Sequence, residues 1–174
     1  MIDPGGIKVR QLSTLFTIGM ILMIASCANG EAAVERAVLF SAVEGEVHKG
    51  GQPLAGATLI REWVFAEDRV RGHDEATTDA KGHFAFPQVT HAYRKPWILA
   101  QEMFIEQLIR VKSGPTEWRA WSGSKRDVKA GTEALSEPWA QTVVDGPLRV
   151  IIDLDSPLAK RGTVVGHTLF MNGL

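Results

Sequence analysis

From Val38 onward the chain is written largely in period two. Across residues 38–48, Leu39, Val43 and Val47 recur on one side and Glu44, Glu46 and His48 on the other, with Phe40 out of step. Such alternation predicts a half-buried strand. Lys49-Gly50-Gly51-Gln52-Pro53 is a turn cluster, because glycine tolerates positive φ and proline ends ladder pairing. Residues 57–65 predict a second strand, with Leu59, Trp63 and Phe65 on one face and Thr58 and Glu62 on the other. Residues 67–75 are charged, contain Gly72 and read as a solvated loop. Asp79-Ala80-Lys81-Gly82 is a tight turn, opened by the aspartate side chain and closed by a left-handed glycine. Phe84 and Phe86 then point into a core until Pro87 stops the ladder.

The second half repeats the theme. Residues 92–97 read as a basic, proline-containing crossover. Across residues 99–112, Leu99, Met103, Ile105, Ile109 and Val111 share a face opposite Glu102, Glu106, Arg110 and Lys112. Phe104, Leu108 and Val111 also fit helical spacing. A strand is favoured, because Ser113-Gly114-Pro115 turns the chain and residues 117–121 resume as a return strand. Residues 122–138 form a polar loop with room for one helical turn. Leu148, Val150, Ile152 and Leu154 alternate with Arg149, Asp153 and Asp155, a clean strand. Residues 163–171 predict the last one. The expected fold is all-β, a single antiparallel β-sandwich of about seven strands.

The N-terminus follows another pattern. Lys8 and Arg10 precede an uncharged apolar run over residues 12–24, which ends in Ile24-Ala25-Ser26-Cys27 before Asn29 and Glu31 restore polarity. An apolar run of that length with small residues at its end predicts a secretory signal helix rather than a membrane span. An uncleaved anchor is the alternative, since residues 11–30 are just long enough to cross. The string around the cysteine resembles the lipobox of bacterial lipoproteins. That resemblance implies lipid transfer to Cys27, cleavage before it and acylation of the new N-terminus, an anchor far firmer than one acyl chain. Ala28 is not the aspartate that holds enterobacterial lipoproteins at the inner membrane. The expected location is the periplasmic side of the envelope, with the outer membrane preferred. The expected domains are a signal at 1–26, a tether at 27–37 and the β-sandwich at 38–174.

Gly51, Pro53, Gly56, Ala57, Thr78, Asp79, Gly82, Phe84 and Phe86 fall in the order strand, Gly-x-Pro-x-x-Gly-Ala, strand, Thr-Asp-x-x-Gly-x-Phe-x-Phe. This resembles the carboxypeptidase-regulatory-like and transthyretin-like (prealbumin-like) β-sandwich superfamily over about a third of the chain. The wider chain resembles a group of uncharacterised bacterial proteins built on that motif. The resemblance implies a fold. It implies little about activity, since that superfamily hosts hydrolase accessory domains, hormone carriers, adhesin modules and receptor plugs.

Composition narrows the partners. A formal net charge of −1 supplies no field that would draw nucleic acid, and a single cysteine permits no internal disulfide. His48, His73, His83, His91 and His167 stand far apart, without the local spacing of metal ligands. Trp121-Ser122-Gly123-Ser124 lacks the elbow of a nucleophilic serine. Asp153 and Asp155 share a strand face but fit an exposed edge. No catalytic residue, metal or cofactor is expected, and the protein is not expected to be an enzyme. Trp118 and Trp121, near a hairpin end with Arg119, form a candidate binding patch of the aromatic–arginine kind. Three positions apart on a regular strand, the tryptophans face opposite ways, so at least one belongs to the core. The expected function is a non-catalytic, membrane-anchored module that binds a protein partner, with toxin neutralisation as one form. A carbohydrate- or peptidoglycan-binding module is the alternative.

Overall fold

The alternation resolves into thirteen strands among the described residues of a computed structural model, residues 34–94, 103–134, 146–161 and 164–170. The signal at 1–26 and Cys27 lie outside them. The first strands are β1 (Val34–Phe40), β2 (Val43–Lys49), β3 (Gln52–Pro53), β4 (Thr58–Phe65), β5 (Val70–Thr77), β6 (His83–Phe86) and β7 (Val89–Arg94). Then come β8 (Ile105–Ser113), β9 (Thr116–Lys125), β10 (Leu148–Asp153), β11 (Ala159–Arg161), β12 (Val164–Gly166) and β13 (Thr168–Phe170). A six-stranded sheet runs β11-β12-β9-β8-β4-β5. A five-stranded sheet runs β13-β10-β2-β3, with β6 also on β2, and β1 and β7 form a third, two-stranded sheet.

The fold is all-β, and its two large sheets pack face to face as a sandwich. Val43, Val47, Phe84, Phe86, Leu148, Val150 and Ile152 from one sheet meet Leu59, Ile109, Val111 and Trp121 from the other in a single buried cluster. Period-two alternation is what puts all of these on inner faces. A smaller cluster joins Leu39, Tyr93, Phe65, Met103 and Ile105 beneath the two-stranded sheet.

Several elements differ from the sequence reading. Residues 38–48 are two strands in different sheets, broken at Ser41 and Ala42. The register of β1 on β7 shifts between Val38 and Phe40, so Leu39 enters the small cluster and Phe40 the large one. This is why Phe40 is out of step. β1 begins at Val34, inside the segment expected as a tether. The charged run 67–75 is mostly strand, since β5 pairs with β4 over all eight residues. β7 occupies the start of the expected crossover, and the last expected strand divides into β12 and β13, in different sheets. Within 99–112 the chain is a strand from Ile105 onward. β10 runs parallel to β2, with Val150 beside Gly45, in an otherwise antiparallel assembly.

The break at Ser41 is held by buried charge. The Ser41 amide donates to Glu133 at 3.0 Å, and its hydroxyl lies 2.9 and 2.7 Å from the two carboxylate oxygens. Gln107 donates to the same carboxylate at 3.0 Å and to the Leu39 carbonyl at 2.8 Å. The Lys125 ammonium stands 3.4 Å from Glu133 and donates to the Lys129 carbonyl at 2.6 Å. Arg61, fully buried, takes Asp74 in a fork at 2.9 and 2.5 Å and lies over the Phe86 ring. Each buried charge has its counter-charge, as burial demands.

Candidate functional site

The hairpin β8–β9 turns at Gly114, whose φ of 57° is one that glycine adopts without strain. Along it the register slips by one: Ile109 opposes Trp121, while Arg110 opposes Arg119. Ala120 is the extra residue of a β-bulge, and a bulge changes which side the following residues face. Trp118 and Trp121 therefore both turn inward, against the expectation from regular alternation. Trp121 is 0% exposed and packs on Phe40 at 5.4 Å between ring centroids. Trp118 is half-buried against the core, with the Lys49 ammonium 4.6 Å from its ring centroid. Arg119 is exposed on the opposite, outer face. The structure does not bring these three residues onto one surface. One tryptophan is core, one is an edge of the core, and the arginine faces outward.

What Arg119 faces is a shallow trough of about 1000 Å³ across the outer face of the six-stranded sheet. Its lining includes Glu62, Arg71, His73, Phe104, Glu106 and Val165. Phe104 and Val165 stand out of the molecule at 38% and 41% exposure, an apolar pair within a charged rim. Beside the trough, Arg110 bridges Glu62 at 2.8 Å and Glu117 at 3.1 Å, and Lys112 reaches Glu117 at 3.4 Å. Partial burial pulls the Arg110 guanidinium down, but Glu117 and Glu62 outweigh it and hold it above its usual range. This ladder locks one part of the face. Arg119, Arg71 and His73 form no ion pair among the described residues.

The outer face of the five-stranded sheet has its own concavity of about 580 Å³, with Glu44, Glu46, His83 and Arg149 in its lining. Glu46 lies between two imidazoles, 2.9 Å from His48 and 2.9 Å from His83. Hydrogen bonds from His48 and His83 hold its carboxyl below the ordinary value of 4.5. Arg149 donates to Glu44 at 2.9 Å. These are paired, exposed groups. Among the described residues no group of three or more His, Cys, Asp or Glu converges as metal ligands, and no helix is long and apolar enough to cross a membrane.

Arg71, His73 and Glu75 are the part of this region that hydropathy did not mark. They alternate with Val70, Gly72, Asp74 and Ala76, a period-two strand almost without apolar residues. Gly72 carries the one available signal. A Cβ there would sit 2.6 Å from the Trp63 ring, so the strand needs a glycine where that tryptophan lies.

The chain belongs to the DUF6795 family, a domain of unknown function, whose profile matches residues 43–142. No curated protein and no solved structure gives a significant match to the chain.

Proposed function

We propose that this chain is a non-catalytic binding module of the bacterial cell envelope, anchored through lipidated Cys27, that holds a protein partner on the outer face of its six-stranded sheet. The observation that carries this reading is the trough, with Arg119 and Arg71 at its rim forming no ion pair among the described residues and Phe104 and Val165 exposed within it. An arginine beside exposed apolar side chains is the composition of a protein-binding hot spot. A shallow, open surface of this kind suits a macromolecule better than an enclosed small ligand. Neutralising an intercellular toxin is one role such a module takes. The glycan alternative has less support, since its sugar-stacking platform needed Trp118 and Trp121 exposed, and Trp121 is interior. The turns at Gly56 and Gly82, both with positive φ, support a place within the carboxypeptidase-regulatory-like superfamily. So does Thr78, whose hydroxyl donates to the Leu54 carbonyl at 2.7 Å and accepts from the Ala57 amide at 2.9 Å.

The test uses the full chain as bait against solubilised envelope. A specific partner is expected, with Arg119→Glu weakening its binding about thirtyfold or more, the scale of a hot spot, and Trp118→Ala leaving it nearly unchanged. A partner insensitive to Arg119→Glu and to Val165→Asp refutes the surface. Mass spectrometry of the mature N-terminus is expected to find an acylated Cys27. A mature chain that retains residues 1–26 refutes the anchor.

A further inference from the structure

The six-stranded sheet ends at β5, and among the described residues no strand lies on its far side. An open edge offers unpaired backbone donors and acceptors to another strand, so proteins usually defend it with proline, a bulge or lysines. β5 has no proline, bulge or lysine; its only charges are Arg71, Asp74 and Glu75, and Asp74 faces inward, tied to Arg61. It reads Val-Arg-Gly-His-Asp-Glu-Ala-Thr and pairs with β4 over its full length without a register shift. Its outward side chains, Arg71, His73 and Glu75, are all exposed. Neither Arg71 nor Glu75 has an ion-pair partner among the described residues, while Arg110, Lys112, Glu62 and Glu117 of the same sheet are paired with one another.

The order of those charges is self-complementary. If β5 is laid antiparallel against itself with His73 opposite His73, Arg71 of each strand falls opposite Glu75 of the other. Val70 then falls opposite Ala76. Opposite charges directly across a strand pair attract, and a two-fold interface makes every such contact twice. A register centred between His73 and Asp74 loses this, because Arg71 then meets Ala76. With a formal net charge of −1, little general repulsion opposes two copies meeting.

We propose that a second copy of this chain docks along the free edge of β5, antiparallel and two-fold about His73, with two Arg71–Glu75 pairs across the junction. The interface joins two six-stranded sheets into one. Arg71 and His73 also line the trough, so the junction engages Arg71 and leaves Arg119, Phe104 and Val165 as what the trough offers a partner.

The register makes the test specific. Across an antiparallel pair, opposite Cα atoms lie about 4.5–5.5 Å apart, within disulfide reach. Positions 71 of the two copies are offset by four residues, about 13 Å, which is out of reach. In membranes carrying the full chain, His73→Cys is expected to form a disulfide dimer under mild oxidation. Arg71→Cys and Glu75→Cys are each expected not to, whereas the two coexpressed are. The wild-type chain, with Cys27 as its one cysteine, is the control. Dimerisation is also expected to weaken about tenfold in Arg71→Glu and in Glu75→Arg alone, and to return when those two variants are mixed, which shows that both are folded. A monomeric His73→Cys chain, or equal cross-linking at position 71 alone, overturns the proposal. So does failure of the mixed charge variants to associate.

Discussion

Glu133 is the residue on which most of the interior polar order converges. It is fully buried and draws on Ser41, Gln107 and Lys125, three residues from three different segments. Burial pushes its carboxyl up, but Lys125, Gln107 and Ser41 more than offset this, and its pKa stands below 4.5. Its contribution to stability is therefore complete above about pH 4.5 and is lost as pH falls through the lower folded value. Removing one partner of a buried pair leaves the other charge uncompensated, which costs about 3–5 kcal/mol. Glu133→Ala is expected to destabilise by that amount in urea titrations at pH 7, and Glu133→Leu with Lys125→Met to recover most of it. A double variant as unstable as the single one would show that the hydrogen bonds from Ser41 and Gln107, and not the charge pair, hold the break at Ser41. None of this is legible in sequence. Glu133 and Lys125 sit in a polar stretch that reads as loop, and a buried glutamate carries no mark until its partners are in place. The same limit applies to the aromatic patch: Trp118, Arg119 and Trp121 are neighbours in the chain, but a one-residue bulge turns both tryptophans onto the inner face, while ordinary alternation leaves Arg119 on the outer one.

At the scale of the element, hydropathy works where a strand has one wet and one dry face. β4, β6, β8 and β10 are such strands, and their apolar inward residues are readable, whereas Arg61 of β4 and Gln107 of β8, polar but buried on the same inner faces, are not. β5 escapes the same reading because it lies at an edge and only Val70 and Ala76 mark its inner side. The parallel pairing of β2 with β10 was not readable either, since partner choice depends on chain tracing and not on local pattern. It does leave a trace in Gly45, a glycine inside a strand that turn chemistry does not explain. A Cβ at Gly45 would lie 2.1 Å from the Val150 carbonyl oxygen. That obstacle is backbone and cannot swing aside. Gly45→Ala is expected to cost about 3 kcal/mol, the upper end of ordinary overpacking. Gly51→Ala meets nothing within 4 Å and has only a positive φ of 70° to oppose it, so about 1 kcal/mol is expected. Denaturation midpoints of the two variants measure the contrast. Equal losses would mean that β10 does not approach β2 as closely as described.

At the scale of the whole molecule, the family match and the physical unit have different limits. The match spans residues 43–142, but the sandwich draws on residues at both sides of that range. Phe40 packs on Trp121 from before it. β10, after it, lies between β2 and β13 and brings Leu148, Val150 and Ile152 to the core, each at most 1% exposed. Burying an aliphatic side chain contributes about 1.5–3 kcal/mol, so these three together contribute about 5–9 kcal/mol. The net stability of an ordinary domain is about 5–15 kcal/mol, so losing β10 alone consumes from about a third of it to all of it. β2 would also lose a hydrogen-bonded neighbour along its length and expose Val43 and Val47. A polypeptide limited to residues 43–142 is therefore expected not to fold. It should lack a cooperative thermal transition and be cleaved rapidly by protease, whereas residues 34–174 should show one transition and resist cleavage. A cooperative, protease-resistant 43–142 fragment would mean that β10 is an addition to the domain and not part of its core.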